Sequence, residues 1–377
     1  MMIDTSTPFG ALASELLTVR EGLSAPPEPP FQRPAGVDDR EWTAQLARAR
    51  AAHNEYALLA RRLLDEVSER MFGPDAPRLP ELPIGAAGGI EIHESTVSVP
   101  TAMTLHDLDV AQESALPLGP VPPMTVPDVV EVPVRLYRAH GVTSGPVVIA
   151  LHGGAFWMGG GDLPRKLDGP MSEWIARAIH GTVVELDYRL APEHPYPASI
   201  VDLIVVLDWV REHAAELAAD TSRLAVLGVS SGGNVAAVAA VIDSHRAIPH
   251  PPLAAQVLVV PALNLADPAP LHRTSDAARQ ARERQLRGYL GADLPPTAPF
   301  VSPALGAPAS GAPPAIILTG EFDEVALGGV EWRDRLRAAG IRVLHHEYPM
   351  SHTVAAPATS ARMAGDIYAG LSTLLGP

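Results

Sequence analysis

The segment Gly228-Val229-Ser230-Ser231-Gly232 follows an apolar run, Leu224-Ala225-Val226-Leu227, and leads into a stretch of small residues. A chain passing from strand to helix over so short a span needs glycines at the turn, where a Cβ has little room. The spacing therefore predicts a strand, a tight elbow and a helix, with the Ser230 hydroxyl lifted to the apex. A second segment, His152-Gly153-Gly154-Ala155-Phe156-Trp157, follows Val147-Val148-Ile149-Ala150-Leu151, which reads as another buried strand.

The rhythm of the chain extends this pattern. The alternation Val130, Val132, Val134, Leu136 marks a half-buried strand, and a further strand is expected near Ile90 to Val99. Further strands are predicted at Thr182 to Leu186, Leu224 to Val229, Ala255 to Val260, Ala315 to Thr319 and Val343 to Glu347. Helices are predicted between them, near Lys166 to Ile179, Pro197 to Leu217, Ser231 to His245, Leu327 to Ala339 and Ala358 to Leu375. Such alternation specifies an α/β fold, a mostly parallel sheet flanked by helices on both faces. Between Asn264 and Pro299 the strand rhythm lapses and Ala277 to Leu290 looks helical, so residues 264–299 read as an insertion over the site.

Residues 1–128 have a different texture. Proline-rich connectors at Ala25 to Pro34 and Pro74 to Pro83 bracket one long amphipathic helix from Asp39 to Phe72, with Trp42, Leu46, Ala49, His53, Tyr56, Ala60, Leu63 and Val67 at three- and four-residue steps. Asp38 or Asp39 suits its N-cap and Gly73-Pro74 its stop. This helix is expected to cover another surface. Residues 1–128 are open to three roles: capping a pocket, packing on the far face of the sheet, or forming a homo-oligomer interface.

Composition narrows the function classes. A chain of 377 residues with 47% hydrophobic and 19% charged residues can bury one large core or two smaller ones. Its formal net charge of −15 argues against a sequence-independent grip on nucleic acid or anionic membrane. The absence of cysteine excludes disulfides, thiolate metal sites and cysteine nucleophiles. Met1 to Pro8 has neither a basic n-region nor an apolar h-region, so no signal peptide is read and a cytoplasmic location is expected. No apolar stretch approaches the roughly 18 to 20 residues that cross a bilayer.

Acyl transfer through serine needs a nucleophile, a base, a group that orients the base, and donors for the oxyanion. Ser230 is the candidate nucleophile. Ser231 is its rival, but the glycine spacing leaves Ser231 to contribute its backbone N–H. The N–H groups of Gly153 and Gly154 are the other candidate donors; the competing reading is a turn that only reverses the chain. With the chain order Ser, acid, His, three of the fourteen histidines remain: His345, His346 and His352. The first two lie in apolar strand context and read as structural, whereas His352 falls in the loop Pro349-Met350-Ser351-His352-Thr353. The acid belongs on Gly320-Glu321-Phe322-Asp323-Glu324. Asp323 is the choice, with Glu321 and Glu324 as alternates and simple solvation of the loop as the competing role. Phe156, Trp157 and Met158 are candidates for an apolar substrate wall, although such residues more often just pack. No metal-ligand spacing, Walker loop or G-x-G-x-x-G after a strand is present, so neither a metal nor a cofactor is expected.

Three blocks together, His152-Gly153-Gly154-Ala155-Phe156, Asp187-Tyr188-Arg189-Leu190-Ala191-Pro192-Glu193-His194-Pro195-Tyr196-Pro197-Ala198 and Gly228 to Asn234, resemble the hormone-sensitive-lipase-like esterases, bacterial family IV of the α/β hydrolases. The resemblance runs from about Val129 to the C-terminus, which makes 129–377 a catalytic domain and 1–128 an N-terminal extension. It implies the α/β-hydrolase fold, a Ser230, Asp323, His352 triad, an oxyanion hole of Gly153, Gly154 and Ser231, and a helical cap from the N-terminal region and the insertion. It also implies a small-molecule ester substrate of small to medium acyl chain. Departures are Ala155 for the third glycine, Val229 for the usual Asp, Ser231 for the usual Ala, and Asp323-Glu324-Val325 for Asp-Pro-Leu. Alternatives within the same pocket are lactone or amide hydrolysis and an elimination or cyclisation in specialised metabolism; outside catalysis, ligand binding on the same fold.

Overall fold

Runs such as Val147 to Leu151 are short and evenly apolar, as strands buried on both faces must be. The computed structural model describes residues 4–19, 23–83, 86, 88–100, 129–247, 250–266 and 276–376. Its strands are β1 (Ile90–Pro100), β2 (Val129–Ala139), β3 (Gly145–Leu151), β4 (Thr182–Leu186), β5 (Ala219–Val229), β6 (Ala255–Val259), β7 (Ala315–Gly320) and β8 (Val343–Tyr348). They form an 8-stranded sheet in the order β1-β2-β4-β3-β5-β6-β7-β8. β1 pairs antiparallel with β2, and β2 with β4; every other pairing is parallel.

Alternation along the strands sorts the core into two layers. Val147, Ile149 and Leu151 of β3 join the layer under α5 (Ala198–Glu212), α6 (Ser231–Ser244) and α9 (Ala326–Ala338). Val148, between them, joins the opposite layer under α4 (Gly169–Ala178) and α10 (Pro357–Leu375). Each fully buried side chain of this size contributes about 1.5–3 kcal/mol.

Several boundaries differ from the sequence-based expectation. The helix expected at Lys166 to Ile179 is two, α3 (Leu163–Leu167) and α4, separated at Asp168. Pro170 lacks an N–H and so favours a helix start over a helix interior. α5 stops at Glu212 rather than Leu217, and β5 begins at Ala219, five positions ahead of its apolar run. Two helices lack a strong signal in the sequence: α1 (Pro8–Val19), whose Phe9, Leu12 and Leu16 are buried, and α8 (Pro303–Gly306).

The long helix α2 (Asp39–Phe72) has the expected bounds, with Asp38 as N-cap accepting the Glu41 N–H at 2.8 Å. α1 packs on α2 and on the chain after β8: Phe9, Leu12 and Leu16 meet Leu64, Val67, Val354 and Ala356, and Phe9 stacks on Phe322. The helix α7 (Asp276–Leu290) stacks Tyr289 on Phe156, and Arg284 and Gln285 bond Glu28. Residues 101–128 of the N-terminal stretch and 267–275 of the insertion lie outside the described residues. Among the described residues, no helix is long and apolar enough to cross a membrane.

Candidate active site

The elbow after β5 is built on close backbone contacts. An added Cβ at Gly228 would lie 2.2 Å from the Gly232 carbonyl oxygen, and one at Gly232 would lie 2.4 Å from that of His152. Nothing larger than glycine fits either place. Between them Ser230 takes φ 54°, ψ −113°, which costs a non-glycine residue about 1–3 kcal/mol and projects its side chain away from the helix that follows.

That projection meets His352. Ser230 Oγ lies 2.8 Å from His352 Nε2, and His352 Nδ1 lies 3.0 Å from each carboxylate oxygen of Asp323. The Asp323 side chain is fully buried, and its Oδ1 also accepts the Val325 N–H at 3.0 Å. Glu321 and Glu324 are exposed residues of the same loop. Ser231, the first residue of α6, is buried and its hydroxyl faces Tyr188, with an O···O distance of 3.5 Å. His345 sits between Thr319 Oγ1 at 2.9 Å and Arg333 at 3.2 Å, and burial followed by the two nearby arginines, Arg333 and Arg337, pushes its pKa down to about 4. It is a strand residue away from Ser230, as its context predicted.

The loop after β3 comes up against the elbow. A Cβ on Gly153 would lie 3.3 Å from the Ser230 Cβ, so the Gly153 backbone runs directly beside the serine. Gly154 has φ 133°, and its carbonyl accepts the N–H groups of Trp157 and Met158, both at 3.0 Å. Ala155 and Phe156 follow at φ 49° and 68°. Ala155, which replaces a glycine of the usual motif, thus holds a left-handed conformation. Phe156 and Trp157 do not form an open wall. Phe156 is stacked on Tyr289 at 3.9 Å, and Trp157 is 3% exposed, with Phe31 and His53 against its ring.

The block from Asp187 to Ala198 supports this loop. Tyr188 stacks on His152 and donates its hydroxyl to the His152 carbonyl at 2.8 Å; Asp187 accepts the Gly161 N–H. Arg189 and Asp202 form a buried ion pair that ties the block to α5.

One group at the site is not visible in any motif. Arg50 of α2 donates to the carbonyls of Trp157 at 2.7 Å and Ala191 at 3.2 Å, and pairs with Glu193 at 2.8 and 3.1 Å. Asn54, one turn on, bonds Gly159 and Gly160. Both lie on the stripe that starts at the buried Leu46, at four-residue steps. Polar residues within the apolar stripe of a helix were the available signal. Arg50→Met leaves Glu193 and two carbonyls without their donor, and is expected to lower unfolding free energy by about 2 kcal/mol, the pair being partly exposed. The measurement is urea unfolding; a loss near zero removes Arg50 from this role.

Asp208, Asp243 and His250 place one ligand atom each within 4.8 Å of one another. Arg211 and Arg246 already hold both carboxylates, at 2.8 and 2.7 Å, so the cluster is an ion-pair network without room for a cation's charge. It also sits at the far end of α6, about 20 Å from Ser230.

Comparisons with known proteins agree with this architecture. Residues 148–355 match the family described as alpha/beta hydrolase fold. Carboxylesterase NlhH of Mycobacterium tuberculosis is 39% identical over 236 residues, covering 59% of this chain and 70% of that protein. Esterase LipI of the same organism is 35% identical over 249 residues, covering 63% and 71%. The esterase of Pyrobaculum calidifontis superposes with a TM-score of 0.65 at 22% identity over 96% of this chain and 97% of that one, a likeness of fold. The chain therefore belongs to the α/β-hydrolase fold family, in the hormone-sensitive-lipase-like branch that its three motif blocks resemble.

Proposed function

We propose that the protein hydrolyses carboxylic esters of small organic molecules through an acyl-enzyme on Ser230. The observation that carries this is the continuous relay from Ser230 Oγ through His352 to the buried Asp323, at 2.8 and 3.0 Å. Two of its relatives, the carboxylesterase and the esterase named above, carry names of the same class, which supports this reading.

The steps follow from the geometry. His352 Nε2 takes the Ser230 proton as Oγ attacks the ester carbonyl, while Asp323 holds the Nδ1–H and stabilises the imidazolium. The N–H groups of Gly153, Gly154 and Ser231 receive the negative charge that develops on the carbonyl oxygen. Each such donor contributes about 3–4 kcal/mol. His352 then returns the proton to the leaving alcohol, and water, deprotonated by the same imidazole, releases the acid. α1, α2 and the inserted helix α7 form the cap of this site, and residues 129–377 its catalytic domain. The intact relay favours this over a binding protein on the same fold.

The test pairs turnover with labelling. Aryl acetates and butyrates are expected to be cleaved, and a fluorophosphonate is expected to add one phosphonyl group, located on Ser230 by peptide mass spectrometry. Absence of both turnover and label refutes the proposal.

A further inference from the structure

On the other face of the strand ends, between the sheet and α3 and α4, lies a cavity of about 570 Å³. Val229 and His152, the neighbours of Ser230 and Gly153, form part of its wall, but neither Ser230 nor His352 lines it. Met171, Ile175, Val183 and Leu227 supply apolar surface. Volumes of this size accept a drug-sized molecule, whereas a water fills about 30 Å³.

The polar groups facing the cavity include four carboxylates, those of Glu94, Asp168, Glu185 and Asp187. His152 Nδ1 is 2.6 Å from the Gly153 carbonyl oxygen, which can only accept, so Nδ1 carries a proton, and in the neutral imidazole Nε2 presents a lone pair. That Nε2 has no hydrogen-bond partner, although the His152 side chain is only 3% exposed. It lies 3.8 Å from Asp187 Oδ1, so with the ring neutral two acceptors face each other with no donor between them among the described residues. Asp168, between α3 and α4, adds a carboxylate that caps neither helix through a hydrogen bond. Glu185 stands deeper, satisfied by Ser172 and Tyr137. Among the described residues Arg135 is the one Lys or Arg that lines the cavity, and it is engaged by Glu94 and Glu185.

We propose that this cavity binds an organic ammonium, a protonated primary amine on a compact apolar body, with its N–H groups donated to His152 Nε2, Asp187 and Asp168. An alcohol brings one donor and no charge; a carboxylate brings the wrong charge. A bare metal ion leaves the apolar wall without contacts.

The pH dependence has a definite sign. Asp168 lines the cavity, and burial pushes its carboxyl up to about 6; His152, when protonated, and Arg61 of α2 oppose the shift, and Glu185 of β4 adds to it. A cation binds the ionised form, so affinity falls as pH drops below that value. The site does not depend on Ser230 being a nucleophile.

The experiment is calorimetric titration of the full chain with benzylammonium, with benzyl alcohol and benzoate as matched probes. Benzylammonium is expected to bind saturably at about pH 7.5 and at least tenfold more weakly at about pH 5, and neither other probe is expected to saturate. Asp168→Asn is expected to weaken binding by about tenfold. Met171→Trp, which fills the cavity, is expected to abolish it, while Ser230→Ala is expected to bind as the wild type does. Benzyl alcohol binding as tightly as the amine, no saturable amine binding at all, or binding lost in Ser230→Ala overturns the proposal. The wild-type comparison of probes and pH stands even where a variant fails to fold.

Discussion

Ser230→Ala is expected to lower kcat for an aryl ester by about 10⁶-fold, leaving a residual rate that the oxyanion donors and substrate binding sustain. The variant keeps the Cβ, and alanine meets the same backbone constraint as serine at φ 54°, so the elbow retains its shape. What is lost is the hydroxyl oxygen that His352 Nε2 contacts at 2.8 Å. Stability is expected to change by about 1 kcal/mol or less, the net contribution of one part-buried side-chain hydrogen bond. Retention of more than about a hundredth of wild-type kcat points to another nucleophile. Ser231 is the first to test, despite its buried position on α6.

Asp323→Asn is expected to cost about 10⁴-fold in kcat with little change in overall fold. Asp323 offers His352 Nδ1 two acceptor oxygens, both at 3.0 Å, and so holds the proton on Nδ1 and the lone pair on Nε2. An asparagine can satisfy the Val325 N–H with its carbonyl oxygen, because Asp323 Oδ1 already does so. Its NH₂ then points at Nδ1 and stabilises the opposite tautomer, with the proton on Nε2 facing Ser230. A base in that form cannot take the serine proton. Steady-state rates of Asp323→Asn beside Glu321→Gln and Glu324→Gln separate the candidates. Near wild-type turnover in Asp323→Asn with loss in Glu324→Gln reassigns the acid to Glu324.

The sheet was legible because its strands are buried on both faces. Such strands are written as unbroken runs, Val147 to Leu151 or Ala315 to Leu318, and no solvent-facing residue interrupts them. The elbow was legible for a steric reason: Gly228 and Gly232 stand where a Cβ would collide with backbone. The acid was harder to read. Three carboxylates within four positions differ only in exposure, and exposure depends on β7, β8 and α1 coming together around Phe322. Arg50 was hidden for the same kind of reason, since its partners Glu193 and the Trp157 carbonyl lie more than a hundred positions away. Phe156 and Trp157 were open to either reading, and it is residues of α7 and the N-terminal segment, Tyr289 and Phe31, that settle them into the core.

The contact of α1 with the loops bearing Asp323 and His352 has a consequence for how the molecule is made. Phe9 and Phe322 are about three hundred positions apart, and Val354 is farther still. Closing so long a loop has an entropic cost that grows only slowly with length, yet it cannot be met before both ends exist. Translation delivers α1 and α2 before the segment that follows β8, and the apolar seam between Leu12, Leu16, Leu64 and Val67 waits for Val354 and Ala356 to complete its cover. During that interval the helix pair is an exposed hydrophobic surface of the kind that chaperones hold. A nascent chain can carry the serine, its elbow and the glycine loop in finished form and still be chemically silent, because the histidine that activates them is translated 122 positions after the serine.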